Sequence, residues 1–232
     1  MLEQTSLKKT AHLTGALYFI LAILGIYNLE YLPSQIVVHG DAAATCRNIL
    51  SHEFLFRLGI ATSVISNILY TILALMFYRL FKNVDKAWSV LLVIFVLVQV
   101  PISFILETFD ITALLLLKGE VLKSLDAQKT QEYATLFRKL SGNGIRLMEI
   151  FWGLWLLPMG ILIYRSRFIP RIIGVLVLLT AFAYTAESII FILSPDSLEV
   201  LGKFIFPLFL GELSIIFWLL IKGVKKSYVG KN

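Results

Sequence analysis

A chain of 232 residues with 58% apolar residues, only 16% charged residues and a mean hydropathy of +0.84 is too apolar for a water-soluble domain. Its net charge of +6 does not point to nucleic acid, because the basic residues punctuate apolar runs and form no basic face interleaved with aromatics. The one cysteine, Cys46, excludes an intramolecular disulfide and a cysteine metal knuckle, and is expected to pack as a small apolar residue.

Hydropathy predicts an all-α integral membrane bundle of six transmembrane helices with short interfacial helices on the outer side, a single membrane domain over residues 1–232. Span one covers about 12–27. Lys8 and Lys9 ahead of the apolar run 17–24 resemble a secretory leader, but 27–33 (YNLEYLP) has no small-x-small cleavage pattern, so a retained span is expected. In the connection 28–53, Asp41 before AAATCRNIL is a good N-cap for a short helix leading into span two, about 54–78. Span three covers about 87–117. In the connection 118–144, Tyr133, Leu136, Phe137 and Leu140 recur at i, i+3, i+4, i+7, which predicts a separate amphipathic helix over 125–140 on the outer interface.

Span four covers about 145–164, span five about 169–193 and span six about 204–221. Pro101 and Pro158 fall inside spans three and four, where each removes a backbone hydrogen bond; Pro170 suits the first turn of span five. An even number of spans puts both termini on one side. Placing them in the cytoplasm collects there twelve of the 21 basic residues, among them Lys82, Arg165, Arg167 and Arg171, and only Glu3 and Asp85 of the 15 acids.

With that orientation Arg57, Glu107, Asp110, Arg146, Glu149, Glu187 and Glu212 all fall in the outer half of the bilayer or at its edge. A charge at bilayer depth costs about 2.5 to 3.5 kcal/mol even on the mild insertion scale, so each needs a partner or water. Gln99, Ser103, Glu107 and Asp110 form a polar stripe on span three. Arg146, Glu149, Gly153 and Gly160 form one on span four, where the glycines allow a close neighbour below the charges. Arg57, Ala61, Asn67 and Thr71 line span two, and Tyr184 and Glu187 add polar groups from span five. The pattern predicts a polar cavity between the helices, open outward, with Glu187 and Glu212 as its ligand groups and the other five charges as its rim or gate. Two arginines facing five acids leave a charge of −3 if all ionise, so either carboxyls hold protons or a cation is bound. The competing reading makes Arg57 and Arg146 structural bridges to Glu107, Asp110 and Glu149.

No H-E-x-x-H, G-x-S-x-G, P-loop or dinucleotide fingerprint is present, so no catalytic residue and no cofactor is assigned. A metal could be drawn between His39, Asp41, His52 and Glu53, but loop histidines are more often simply solvated, and none is expected. Trp152 and Trp155 read as packing residues, or as an aromatic wall beside Glu149 that could receive a cationic headgroup.

The stretches HLTGALYFILAILGIY from His12, GDAAATCRNILSHEFLFRLGI from Gly40, RFIPRIIGVLVLL from Arg167 and GELSIIFWLLIKGV from Gly211 resemble, in the same order, the bacterial membrane family catalogued as domain of unknown function 4386. The resemblance implies a bacterial multi-span membrane protein, in the plasma (inner) membrane, and brings no activity, substrate or catalytic residue. Three functions stay open: binding or translocating a small polar or cationic ligand or lipid headgroup, hydrolysing or transferring a lipid group, and serving as a non-catalytic partner or sensor.

Overall fold

The computed structural model describes residues 2–198, 208 and 210–224. Among them every regular element is helical: α1 (Leu2–Ile26), a π-helical turn (Tyr27–Tyr31), α2 (Leu32–Ile36), α3 (Ala42–Ser51), α4 (Glu53–Phe81), α5 (Lys86–Leu117), α6 (Ala127–Ser166), α7 (Arg171–Leu193), a 3₁₀ turn (Pro195–Ser197) and α8 (Leu210–Ile221). Five of these helical stretches are long and apolar enough to cross a bilayer: Leu7–Ile36, Glu53–Phe81, Lys86–Leu117, Ala127–Ser166 and Arg171–Leu193. The protein is therefore a multi-pass membrane protein.

The expected sixth span is described only in part. Its described part, α8, has 12 residues, about 18 Å at 1.5 Å per residue against about 30 Å of hydrocarbon. The remainder, 204–207 and 209, lies outside the described residues.

Two other boundaries depart from the sequence reading. Helical backbone does not stop at Tyr27: it passes through the π turn and into α2, where Pro33 occupies the first turn and its missing N–H is harmless. The separate interfacial helix over 125–140 is instead the first part of α6, which runs unbroken for 40 residues, about 60 Å. Ser141-Gly142-Asn143-Gly144 does not break it. Glycine in a helix costs only about 1 kcal/mol, and here Ser141 is buried with a hydrogen bond to Asp110 while Gly144 packs against Leu106. By contrast the Asp41 cap is as expected, since its Oδ1 accepts from the Ala44 N–H at 2.8 Å.

The chain forms two compact units, one of 1–20, 69–99 and 146–232, the other of 21–68 and 100–145. In the first unit, glycines let backbones meet. A Cβ on Gly174 of α7 would sit 2.8 Å from the Tyr164 nitrogen of α6, and one on Gly15 of α1 would sit 2.7 Å from the Leu220 nitrogen of α8. His12 Nδ1 lies 2.9 Å from the Leu220 carbonyl oxygen, and Gly223, with φ +64°, closes α8 in the left-handed conformation. Phe77, Phe81, Trp155, Leu156 and Met159 fill the interior.

In the second unit α3 lies on Ile36, Phe56 and Leu114 through Ile49. Cys46 packs with Ala113, Leu116 and Ala134, as a small apolar residue would, and burial pushes its thiol above the ordinary range. The face that α6 buries here carries Ala134 and Ser141, and Phe137 packs beside Ala134, whereas Tyr133, Leu136 and Leu140 of the same apolar stripe are exposed.

Candidate functional site

The seven charges of the expected cavity divide between the units. Arg146, Glu149, Glu187 and Glu212 belong to the first; Arg57, Glu107 and Asp110 belong to the second. Two surface grooves, one along Lys86, Trp88, Leu91 and Ile94, the other along Ala42, Ala43, Gln128 and Glu132, are lined by none of the seven.

In the second unit each of the three has a partner within the fold. Asp110, 9% exposed, accepts from Arg138 on Oδ1 and from the Ser141 hydroxyl on Oδ2 at 3.0 Å. The Arg138 guanidinium also lies over the Phe56 ring, 5.2 Å from its centre. Glu107 accepts a hydrogen bond from the Ser63 hydroxyl, and below it Asn67 donates to Ser103 at 2.8 Å. Arg57 does not reach these acids. It is exposed and bonds Glu53 one turn earlier at 2.7 Å, and Lys118 bonds the same carboxylate oxygen at 3.0 Å.

Arg138 and Ser63 were not among the expected site residues. Arg138 was missed because the apolar stripe of 125–140 points to another face, although its position three residues before Ser141 was a usable signal. Ser63 lies four residues before Asn67, which places the two on one helical face, so that spacing was the available clue.

The first unit builds a different arrangement on α6 and α7. Arg146, Glu149 and Trp152 succeed one another at three-residue spacing on α6, and Tyr184 and Glu187 do so on α7. The two helices approach closely here. A Cβ on Gly153 would sit 2.6 Å from the Ala181 carbonyl oxygen, and the Ser188 hydroxyl donates to the Leu147 carbonyl at 3.3 Å. Arg146, exposed, donates through Nη1 to Glu149 Oε1 at 3.2 Å. Glu149 is 5% exposed, and its second oxygen, Oε2, is buried with no hydrogen-bond partner among the described residues. Glu187 is half-buried and lies within electrostatic reach of Arg146 and Glu149.

Glu212 of α8 is held by tyrosines. Tyr18 donates to Oε1 and Tyr184 donates to Oε2 at 3.0 Å. Aromatic rings surround this trio: Trp152 stands edge-on to Tyr184 at 5.5 Å, and Trp155 stands edge-on to Tyr18 at 5.8 Å and to Tyr70 at 5.0 Å. Trp155 is 1% exposed, and its Nε1 is a second buried polar atom without a partner among the described residues. The tyrosine partners of Glu212 escaped the sequence reading because Tyr18 lies 194 positions away. Chemically, the first unit thus offers a saturated carboxylate inside an aromatic box, and beside it a carboxylate with one oxygen still to be met.

No solved structure matches the chain. Over 80 residues it is 34% identical to an uncharacterized protein of Archaeoglobus fulgidus, a match covering 34% of this chain and 46% of that protein. This chain thus spans less than half the length of that relative. The family model described as domain of unknown function DUF4386 matches residues 13–223, nearly the whole chain, and the protein belongs to that family.

Proposed function

We propose that the protein binds a small cationic ligand or headgroup at Glu149 and Glu187, with Arg146 at the rim and Trp152 and Tyr184 as walls. The carrying observation is Glu149 Oε2, a buried carboxylate oxygen without a partner among the described residues. Leaving such an atom unmet costs about 1 to 3 kcal/mol, and more for a charged group, so a site that keeps one is arranged for a donor from outside the chain. One arginine beside two carboxyls leaves that locality acidic, which favours a cation. Glu212 then serves as an anchor: by accepting from Tyr184 it orients the ring that Trp152 packs against.

In this reading the second unit's charges are structural, because Asp110, Glu107 and Arg57 find their partners inside the fold. A lipid hydrolase is less well supported. The hydroxyls of Ser63 and Ser141 donate to carboxylates, and no histidine joins either group among the described residues. The orientation proposed is that of a bacterial plasma-membrane protein with cytoplasmic termini, supported by the basic residues at 79–86 and 165–171.

The test is native mass spectrometry of the full chain released from nanodiscs, comparing wild type with the Glu149→Gln, Glu187→Gln double variant. A defined extra mass on wild type that the variant lacks is the expected result. Equal spectra from two equally stable proteins overturn the reading.

A further inference from the structure

Building on the cation-site reading, we infer that the ligand is a zwitterion: a primary ammonium joined by a short linker to a phosphate, as in an ethanolamine phosphate. Glu149 Oε2 decides the ammonium. A lone carboxylate oxygen, buried in a residue only 5% exposed, needs an N–H or O–H donor. A primary ammonium brings three N–H groups; a quaternary ammonium brings none and can offer only its charge. The second acid, Glu187, within electrostatic reach, favours a cationic donor over a neutral hydroxyl.

Among the described residues no three His, Cys, Asp or Glu side chains converge as metal ligands, which favours an organic cation over a metal ion. The rings of Trp152 and Tyr184 supply apolar surface for the linker's methylenes.

Arg146 decides the phosphate. It uses Nη1 on Glu149, and its other N–H groups have no partner among the described residues, on a side chain 52% exposed. A planar fork of free N–H groups beside a satisfied first contact suits a phosphate oxygen pair. Arg146 and Glu149 stand three residues apart on α6, about 4.5 Å along the axis, within reach of a two-carbon linker between ammonium and phosphate. The same chemistry is carried by a phospholipid headgroup and by the free phosphomonoester.

The experiment uses the full chain in detergent and titrates it, by native mass spectrometry, with short-chain phosphatidylethanolamine, short-chain phosphatidylcholine, phosphoethanolamine and ethanolamine. Expected is at least about tenfold tighter binding of the ethanolamine lipid than of the choline lipid, a preference that Glu149→Gln abolishes. Arg146→Gln is expected to weaken the phosphate-bearing ligands about tenfold and to leave ethanolamine unchanged. Competition by phosphoethanolamine as effective as that by the lipid identifies a soluble ligand, and competition by the lipid alone identifies a headgroup; both support the zwitterion.

Equal binding of ethanolamine and choline lipids overturns the N–H assignment. Ethanolamine binding as tightly as phosphoethanolamine, with Arg146→Gln without effect, overturns the phosphate while the cation site stands. Failure of wild type to hold any of the four overturns the zwitterion, while the cation site then stands or falls by the extra mass on wild type. Since Arg146 is exposed, its variant keeps the test decisive even where Glu149→Gln lowers folding yield.

Discussion

Asp110 and Glu149 are both buried acids with an arginine beside them, yet they are finished differently. At Asp110 both oxygens are met, one by Arg138 and the other by Ser141, and the arginine itself is sandwiched against Phe56. At Glu149 one oxygen is met by an exposed Arg146 and the other by nothing among the described residues. A closed network converts the cost of burying charge into fixed geometry, which suits a structural joint. An open one leaves the cost of the unmet oxygen standing. Burial and charge alone would have classed the two acids together; counting the partners of each oxygen separates them.

That contrast can be broken first at Arg138. Replacing it by methionine strands the buried Asp110 carboxylate, and unfolding measurements are expected to show a loss on the order of 3 kcal/mol. A loss under about 0.5 kcal/mol, the size of a surface substitution, would remove the structural role. Ser141→Ala is a gentler version. It bares Asp110 Oδ2 and so makes Asp110 resemble Glu149, at an expected cost of about 1 to 2 kcal/mol in the same assay. Glu149→Gln is expected to change stability by less than about 1 kcal/mol, since one oxygen of that carboxylate already lacks a partner among the described residues, while ligand retention is lost. If it destabilises as strongly as Arg138→Met, Glu149 is a structural acid after all.

Arg57→Ala removes an exposed pair and is expected to cost no more than about 0.5 kcal/mol, with ligand retention unchanged. The smallest effect belongs to Lys118, whose ammonium titrates above its ordinary value because Glu120, and after it Glu53, accept its hydrogen bonds. A raised lysine pKa adds stability that is complete below the unfolded value of 10.5 and fades as pH climbs through the raised one. Unfolding curves at neutral and mildly alkaline pH should therefore be the same for wild type and Lys118→Ala in their pH slope, and differ only above that range.

Much of the fold was legible in the residues alone. Apolar run length marked the spans, Asp41 marked the start of α3, and Gln99, Ser103 and Asp110 marked a stripe on α5 that is buried while Phe104 and Ile105 are exposed. These are local properties: a cap bonds three residues ahead, and a helical stripe repeats every turn. The C-terminal span is described only in part, and 125–140 is not a separate helix but the first part of α6.

Of the apolar stripe over 125–140, Tyr133, Leu136 and Leu140 are exposed, as an amphipathic helix at an interface leaves them, while Phe137 packs beside Cys46, Ala113, Leu116 and Ala134. What tertiary structure alone decided is who meets whom. Tyr18 meets Glu212 across 194 positions, Arg138 meets Asp110, and Glu149 Oε2 is passed over. Side-chain hydrogen bonds reach only about 3 Å, so composition can say that a buried acid needs partners, whereas only the packing of one helix on another decides whether it has them.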